Sequence, residues 1–488
     1  MRSKIVTLLA VFLTLSFVLT ACGSAPAATE AASTEASSES ATEAATVAPT
    51  LNLKPTPTLK AGQTQVRWFI GLGTGTDPDQ LDAEQKVVDE FNATHPDILL
   101  TMEIVTYTSA FDTLATEIAS GNAPDIVGPV GVDGAESFHG QWLDLSDLIA
   151  KNNYDLSQYS EGAVNFYMDK DEGQIGIPFA SYPSVMYYNK ALFDEAGLNY
   201  PPQKYGDPYT WADGTTSPWD YDTVRKLSMI LTVDKNGNDA TSPDFDPSNI
   251  VQYGYVPQYQ DARAMGSYFG AGSLVAADGK TAQVPDAWKA AWKWVYNGEF
   301  TDHFIPDWTT IQSSEWGAGD TFGSGRIGMA LTHTWYASEI SLENWDMAVV
   351  PSYNGNTTAN FNADTFRILK GSKNPDAAFT VLTYLLGDAS LDLLKIYGGM
   401  PARIADQKDF IQTATDQYAW KPDYQVAADG IAFADNPSFE GYMPNYLESR
   451  DRVVNEFTTS LQSTEGLDMD KEIAKLISDL QVIYDKSK

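Results

Sequence analysis

Cysteine is all but absent from this chain, with Cys22 the single one in 488 residues, and only four histidines occur, His95, His139, His303 and His333. A lone thiol excludes an intramolecular disulfide and a redox-catalytic pair. The histidines show no HExxH or other metal-ligand spacing, and no G-x-S-x-G elbow is present, so two common hydrolase signatures are missing. Basic residues are scarce: 31 Lys and Arg stand against 65 Asp and Glu, a net charge of -34. That balance disfavours nucleic-acid phosphates and an anionic membrane surface, and it suits a neutral or cationic small ligand better. Beyond the first two dozen residues no stretch offers the roughly 18 uninterrupted apolar residues of a membrane span.

What is present begins at the N-terminus. Arg2 and Lys4 precede an apolar run from Ile5 to Leu19, which has the anatomy of a secretory signal. It ends in Leu19-Thr20-Ala21-Cys22-Gly23, which resembles the bacterial lipobox, so residues 1–21 are expected to be removed and Cys22 acylated. Acyl chains would then hold the protein at an extracytoplasmic membrane surface without spanning it. From Cys22 to about Gly62 the composition falls to Ala, Ser, Thr, Glu and Pro, a disordered tether that cannot bury enough apolar surface to offset chain entropy.

The whole sequence has 43% hydrophobic residues, enough for more than one core. Val66 to Ile70 reads as a strand, Val87, Val88 and Phe91 mark a helix, and Ile98 to Tyr107 is a second strand. A helix from about Ser109 stops at Gly121, and Ala123 to Val127 is a third strand. This alternation implies an α/β sheet with right-handed parallel connections. The loop Gly71 to Pro78 follows a strand and precedes a helix, yet Thr76 stands where a dinucleotide fingerprint needs glycine, and acids follow. It is read as a loop that lets ligand approach the backbone. Asp234, Asn236 and Asn238 begin like a calcium loop, but Asp239 and Phe245 depart from the pattern, so a polar turn is expected and no cofactor is assigned. Ile177 to Pro202 reads as a buried strand running into a short helix and a proline stop. Ala287, Trp288, Ala291, Trp292 and Val295 share a helical face and read as core, and Asn374-Pro375 should open and cap another helix.

Together, VVDEFNATHPDI, FDTLATEIASGNAPDIV, IPF followed by VMYYNKALFDEAGLNYPP, FGSGRIGMALTHTW, NPDAAFTVLTYLLGD and GGMPAR, in that order behind a lipobox and a tether, resemble the bacterial family 1 extracellular solute-binding proteins, the carbohydrate receptors of ABC importers related to maltose-binding protein. The resemblance runs from about Gln65 to the C-terminus. It implies two α/β lobes, 63–182 plus 366–398 and 187–363 plus 402–488. It also implies three crossovers, near Ser181 to Tyr187, Asp364 to Leu369 and Gly398 to Arg403, with a ligand cleft between the lobes. A sugar, ABC permease subunits and lipoprotein-processing enzymes are the implied partners, contact with the membrane is through the lipid anchor alone, and a monomer is expected.

Sugar recognition needs flat apolar faces beside planar polar groups. Trp335 matches the stacking tryptophan of that family, and Tyr182 a hinge position that faces ligand at the cleft mouth. Tyr188 and Asn189 are expected to be structural. Tyr268 and Phe269 match the second lobe's aromatic wall. Gly73, Thr74 and Asp77 in the first loop, the segment from Pro129 to Asp133, and Asp364 at the second crossover complete the expected lining. Asp125 either meets ligand or caps its loop, and Arg403 binds hydroxyls, locks the hinge or forms a surface ion pair. Acidity, aromatics and secretion also suit a tethered glycoside hydrolase or lyase, which would need two positioned carboxylates, and the same fold could receive peptides or polyamines. No feature singles out a carboxylate pair.

Overall fold

In a computed structural model the described residues are 58–487, except 79. The expected signal segment, Cys22 and most of the tether lie outside them. The strands form where apolar, β-branched and aromatic runs fall between turn residues. β1 (Thr64–Ile70), β2 (Ile98–Ile104) and β3 (Ile126–Val130) alternate with helices Leu81–Thr94 and Tyr107–Ala119. β4 (Ala180–Asn189), β5 (Val233–Asp234), β6 (Ile250–Val256), β7 (Ile327–His333) and β8 (Trp345–Ala348) follow, and then β9 (Phe361–Ile368) and β10 (Met400–Pro401). The strand order is β2-β1-β3-β9-β4-β7-β6-β5, with β8 and β10 also paired to β4.

Two strands carry the chain between two sheets. The first half of β9 pairs with β4, Phe361 to Asp364 against Pro183 to Ala180, while its second half pairs with β3. β4 in turn gives residues 180–183 to β9 and 184–189 to β7 and β8. β1 runs parallel to β2 and β3, as expected, but β9 lies antiparallel to β3 because it enters from the other lobe. The core divides accordingly. One part gathers Trp68, Phe91, Leu100, Phe366, Phe379 and Leu382, and the other Met186, Trp288, Trp292, Trp345 and Leu476. Tyr182 belongs to the first and Val185 to Tyr188 to the second, so the molecule is two-lobed with β4 shared between the lobes.

Local details follow the side chains. Asp220 caps helix Tyr221–Leu231 by accepting from the Thr223 N–H. Helix Pro375–Leu385 starts with proline at its first position, but the Asn374 side chain donates to the Gln65 carbonyl instead of capping. Asp234 accepts from the backbone of Asn236, Asn238 and Asp246 and from the Asn238 amide, which makes the Asp234 to Asp246 segment a polar turn closed on one carboxylate.

Candidate functional site

The seam between the lobes lies at the C-terminal ends of β1, β3, β6 and β7, where loops leave the strands and ligands of open α/β sheets gather. Trp335 follows β7 at once. It is half-buried, packs against both cores, and donates from Nε1 to Asn362 Oδ1 at 3.2 Å. Its ring lies 22° from parallel to Tyr259, with centroids 6.0 Å apart. Tyr259 follows β6, is 49% exposed, and holds φ at +57°. A bulky side chain in the left-handed region stores strain of order 1 kcal/mol and is tolerated where the surroundings fix it. Asn362, on β9, donates to Glu440 at 3.3 Å and so links the ring to a buried carboxyl. Burial pushes Glu440 well above the usual carboxylate range, and Asp133 adds to the effect.

The first lobe contributes backbone and carboxylates. Gly75 holds φ at +103°, and a Cβ there would come within 2.6 Å of Glu84 Oε1. Gln80 accepts from the amides of Gly75 and Asp77 and donates to Thr74 Oγ1, so one side chain pins the second half of the loop. A Cβ at Gly73 would lie 3.5 Å from one Asp364 oxygen, and one at Gly131 would lie 3.0 Å from the other. The Asp364 carboxyl thus sits between the two glycine loops, and burial raises it to about 6 with Arg367 opposing.

Asp133, at the end of the segment from Pro129, crosses the seam. Both of its oxygens accept from Arg450 Nε at 2.7 Å, Oδ1 accepts from the Tyr446 hydroxyl at 2.6 Å, and Arg263 Nη2 lies 3.5 Å away. Burial alone would raise this carboxyl, but Arg263 and Arg450 outweigh it and hold it below the usual range. Arg263 is 2% exposed and also binds Asp261 at 3.0 Å.

The remaining expected residues lie elsewhere. Tyr182 is buried rather than at a cleft mouth: its hydroxyl reaches the Tyr397 carbonyl at 3.4 Å, and Gly399 packs over its ring. Tyr268 is buried with its hydroxyl 3.4 Å from Gln260 Oε1. Phe269 packs on Tyr221 and Tyr353, with centroids 4.2 Å away in each case, and lines a separate cavity of about 610 Å³ with Asn354, Phe433 and Asn436. Asp125 precedes β3, at the end of the strand away from the seam, and accepts from the Arg67 N–H (2.9 Å) and the Ser372 hydroxyl (2.5 Å), so it ties loops together. Arg403 lies beside Tyr154 and Tyr159 in the first lobe. Tyr188 is in the second lobe's core, and Asn189 caps the following helix through the Ala191 N–H. Tyr259, Asn362, Glu440, Arg263 and Arg450 escaped the sequence reading. Pro257, which ends β6, was the one available signal for Tyr259.

Residues 77–391, well over half of the chain, match the family described as bacterial extracellular solute-binding protein. An uncharacterized lipoprotein from the oleD 5' region of Streptomyces antibioticus is 30% identical over 28% of this chain and 29% of its own. An sn-glycerol-3-phosphate-binding periplasmic protein of Rhizobium meliloti is 24% identical over 31% of this chain and 34% of its own, so the chain spans about a third of the length of these relatives. Among solved structures, an ABC substrate-binding protein of Listeria monocytogenes in complex with cycloalternan superposes with a TM-score of 0.62 at 19% identity, covering 87% of this chain and 99% of that one. The maltose/maltodextrin-binding domain of Bdellovibrio bacteriovorus bound to maltotriose gives 0.60 at 16% identity, covering 87% and 99%. These two share the fold. The family is one of binding proteins, not enzymes, and with two lobes meeting at a seam of aromatic and polar side chains, this chain belongs to the bacterial extracellular solute-binding proteins.

Proposed function

We propose that this protein is a lipid-anchored extracytoplasmic receptor that closes its lobes on a neutral mono- or oligosaccharide and delivers it to the transmembrane subunits of an ABC importer. The observation that carries this reading is the seam itself: the partly buried ring of Trp335 and the exposed ring of Tyr259 stand beside the planar polar groups of Asn362 and Glu440. Rings take the C–H face of a sugar, and amide and carboxyl groups take its hydroxyls. The sugar ligands of the Listeria and Bdellovibrio proteins fit the same chemistry.

A phosphate ligand, which the Rhizobium protein's name would suggest, fits less well. It would need free cations, and Arg263 and Arg450 are already bound to Asp133 and Asp261. Two of the first loop's amides, those of Gly75 and Asp77, are likewise taken by Gln80. Lipid anchoring rests on the sequence around Cys22, supported by the lipoprotein name of the Streptomyces relative.

The test is a thermal-shift series on the purified full chain with maltotriose, mannobiose, tagatose, sn-glycerol 3-phosphate and spermidine. A sugar present at a thousand times its dissociation constant should stabilise the fold by about 4 kcal/mol. A response to spermidine or to the phosphate alone would sink the sugar reading, and release of reducing ends from maltotriose would replace it with a hydrolase.

A further inference from the structure

His333 ends β7, two residues before Trp335. It is 2% exposed, and neither Nδ1 nor Nε2 has a hydrogen-bond partner among the described residues. Its ring lies 16° from parallel to Trp335 at 6.2 Å and 21° from parallel to Phe439 at 5.9 Å, so the imidazole is packed among apolar rings. In register it stands opposite Ser184 of β4, and directly opposed residues of an antiparallel pair leave the sheet on one face.

A buried polar group without a partner is unfavourable, and native folds keep one only where something else accounts for it. Phenylalanine would fill the same flat slot between Trp335 and Phe439 without that cost. The choice of histidine therefore points to a group that both donates and accepts, held at the edge of the stack beside Trp335. Burial pushes the imidazole down to about 3, which leaves it neutral at physiological pH, with one donor nitrogen and one acceptor nitrogen.

We propose that His333 is a specificity-determining residue of the cleft, whose two free ring nitrogens bind hydroxyl groups of the sugar that lies on Trp335. This rests on the sugar reading above and narrows it. A hydroxyl both donates and accepts, so a polyol can meet both nitrogens, whereas a phosphate offers acceptors and an ammonium donors.

Four histidines make the test clean. The full chain, labelled with ¹⁵N-histidine, is titrated with maltotriose, mannobiose and tagatose, and His333→Gln identifies the His333 signals. In the sugar that binds, the His333 nitrogens should shift while those of His95, His139 and His303 stay in place. His333→Phe should weaken binding at least tenfold with the melting temperature unchanged or raised, and His333→Gln should recover part of the loss. Binding that leaves the His333 signals unmoved, with His333→Phe within twofold of wild type, overturns this inference and leaves the sugar reading standing. A His333→Phe variant that loses melting temperature and affinity together shows a packing role instead. Failure of every sugar to bind overturns the sugar reading and this inference with it.

Discussion

The two walls that meet at the seam are made of different material. The second lobe presents the rings of Tyr259 and Trp335, after strands β6 and β7, with His333 and Phe439 buried next to them. The first lobe presents tightly folded backbone, with Gly73, Gly75 and Gly131 packed against Asp364 and Glu84. Rings keep their shape when a cleft opens, since their strands are anchored in a core. Glycine loops let the opposing wall come close, because no Cβ intervenes. On the proposed reading, ligand therefore docks on the second lobe and the first lobe closes over it. One feature breaks the division of labour: the first lobe's Asp133 reaches across into the second lobe's Arg450, Arg263 and Tyr446.

The largest effect is expected at that crossing. Removing one partner of a buried ion pair strands the others, at a cost of about 3–5 kcal/mol. Asp133→Ala should thus open the closed form, seen as a larger radius of gyration by small-angle scattering at equal helix content. Arg263 keeps Asp261 and Arg450 is 27% exposed to water, so the cost falls at the low end of that range. An unchanged radius, with or without maltotriose, would show that closure depends on other contacts.

Next in size is the contrast between walls. Trp335→Ala should weaken sugar binding about a hundredfold, roughly 2.7 kcal/mol, and lower the melting temperature as well, because the partly buried ring packs against both cores. Asp77→Asn, on the exposed first-lobe loop, should stay within a few-fold. Equal losses by calorimetry would refute the claim that the second lobe does most of the reading.

The same contrast explains what the sequence could disclose. Trp335 was singled out by its match to the family's stacking tryptophan in FGSGRIGMALTHTW, and it stands just past the C-terminal end of β7, the end of a strand that faces the crevice. Asp125, read as either meeting ligand or capping its loop, does the second, since it sits at the opposite end of β3. Tyr182 was harder. All ten residues of β4 are buried, so inside/outside alternation carries no signal about which face meets the cleft. With 58 aromatics in the chain (12 Trp, 25 Tyr and 21 Phe), composition could not separate Tyr259 from Tyr268. A backbone in the left-handed region separates them, and it becomes visible only in three dimensions. The α/β sheet was readable from the strand and helix order and the two lobes from the family resemblance, but the cross-lobe reach of Asp133 depends on residues more than a hundred positions away.

The smallest expected effect, counted per pH unit, compares one buried glutamate from each lobe. Glu84 of the first lobe is fully buried, its Oε1 accepts from the Tyr397 hydroxyl at 2.8 Å, and burial lifts its carboxyl to about 8. Glu299 of the second lobe has no partner for Oε1, and burial, with Asp307 adding, lifts it to about 9. Both pKa values lie above those of the unfolded chain, so both side chains are neutral in the fold at pH 7. The stability each contributes is complete below about pH 4.3, the ordinary glutamate value, and is lost as pH rises toward the folded value, at no more than about 1.4 kcal/mol per pH unit. Glutamine cannot ionise and escapes that loss. Glu299→Gln should therefore melt with wild type near pH 4 and increasingly above it up to about pH 9, by a degree or so per pH unit for a chain of this size. Glu84→Gln should follow the same course but level off about one unit earlier. It should leave the first loop in place, because the amide oxygen can still accept from Tyr397. If Glu84→Gln instead loosened sugar binding while Glu299→Gln did not, the first lobe's wall would depend on its buried acid, and the view of it as a passive cover would have to be given up.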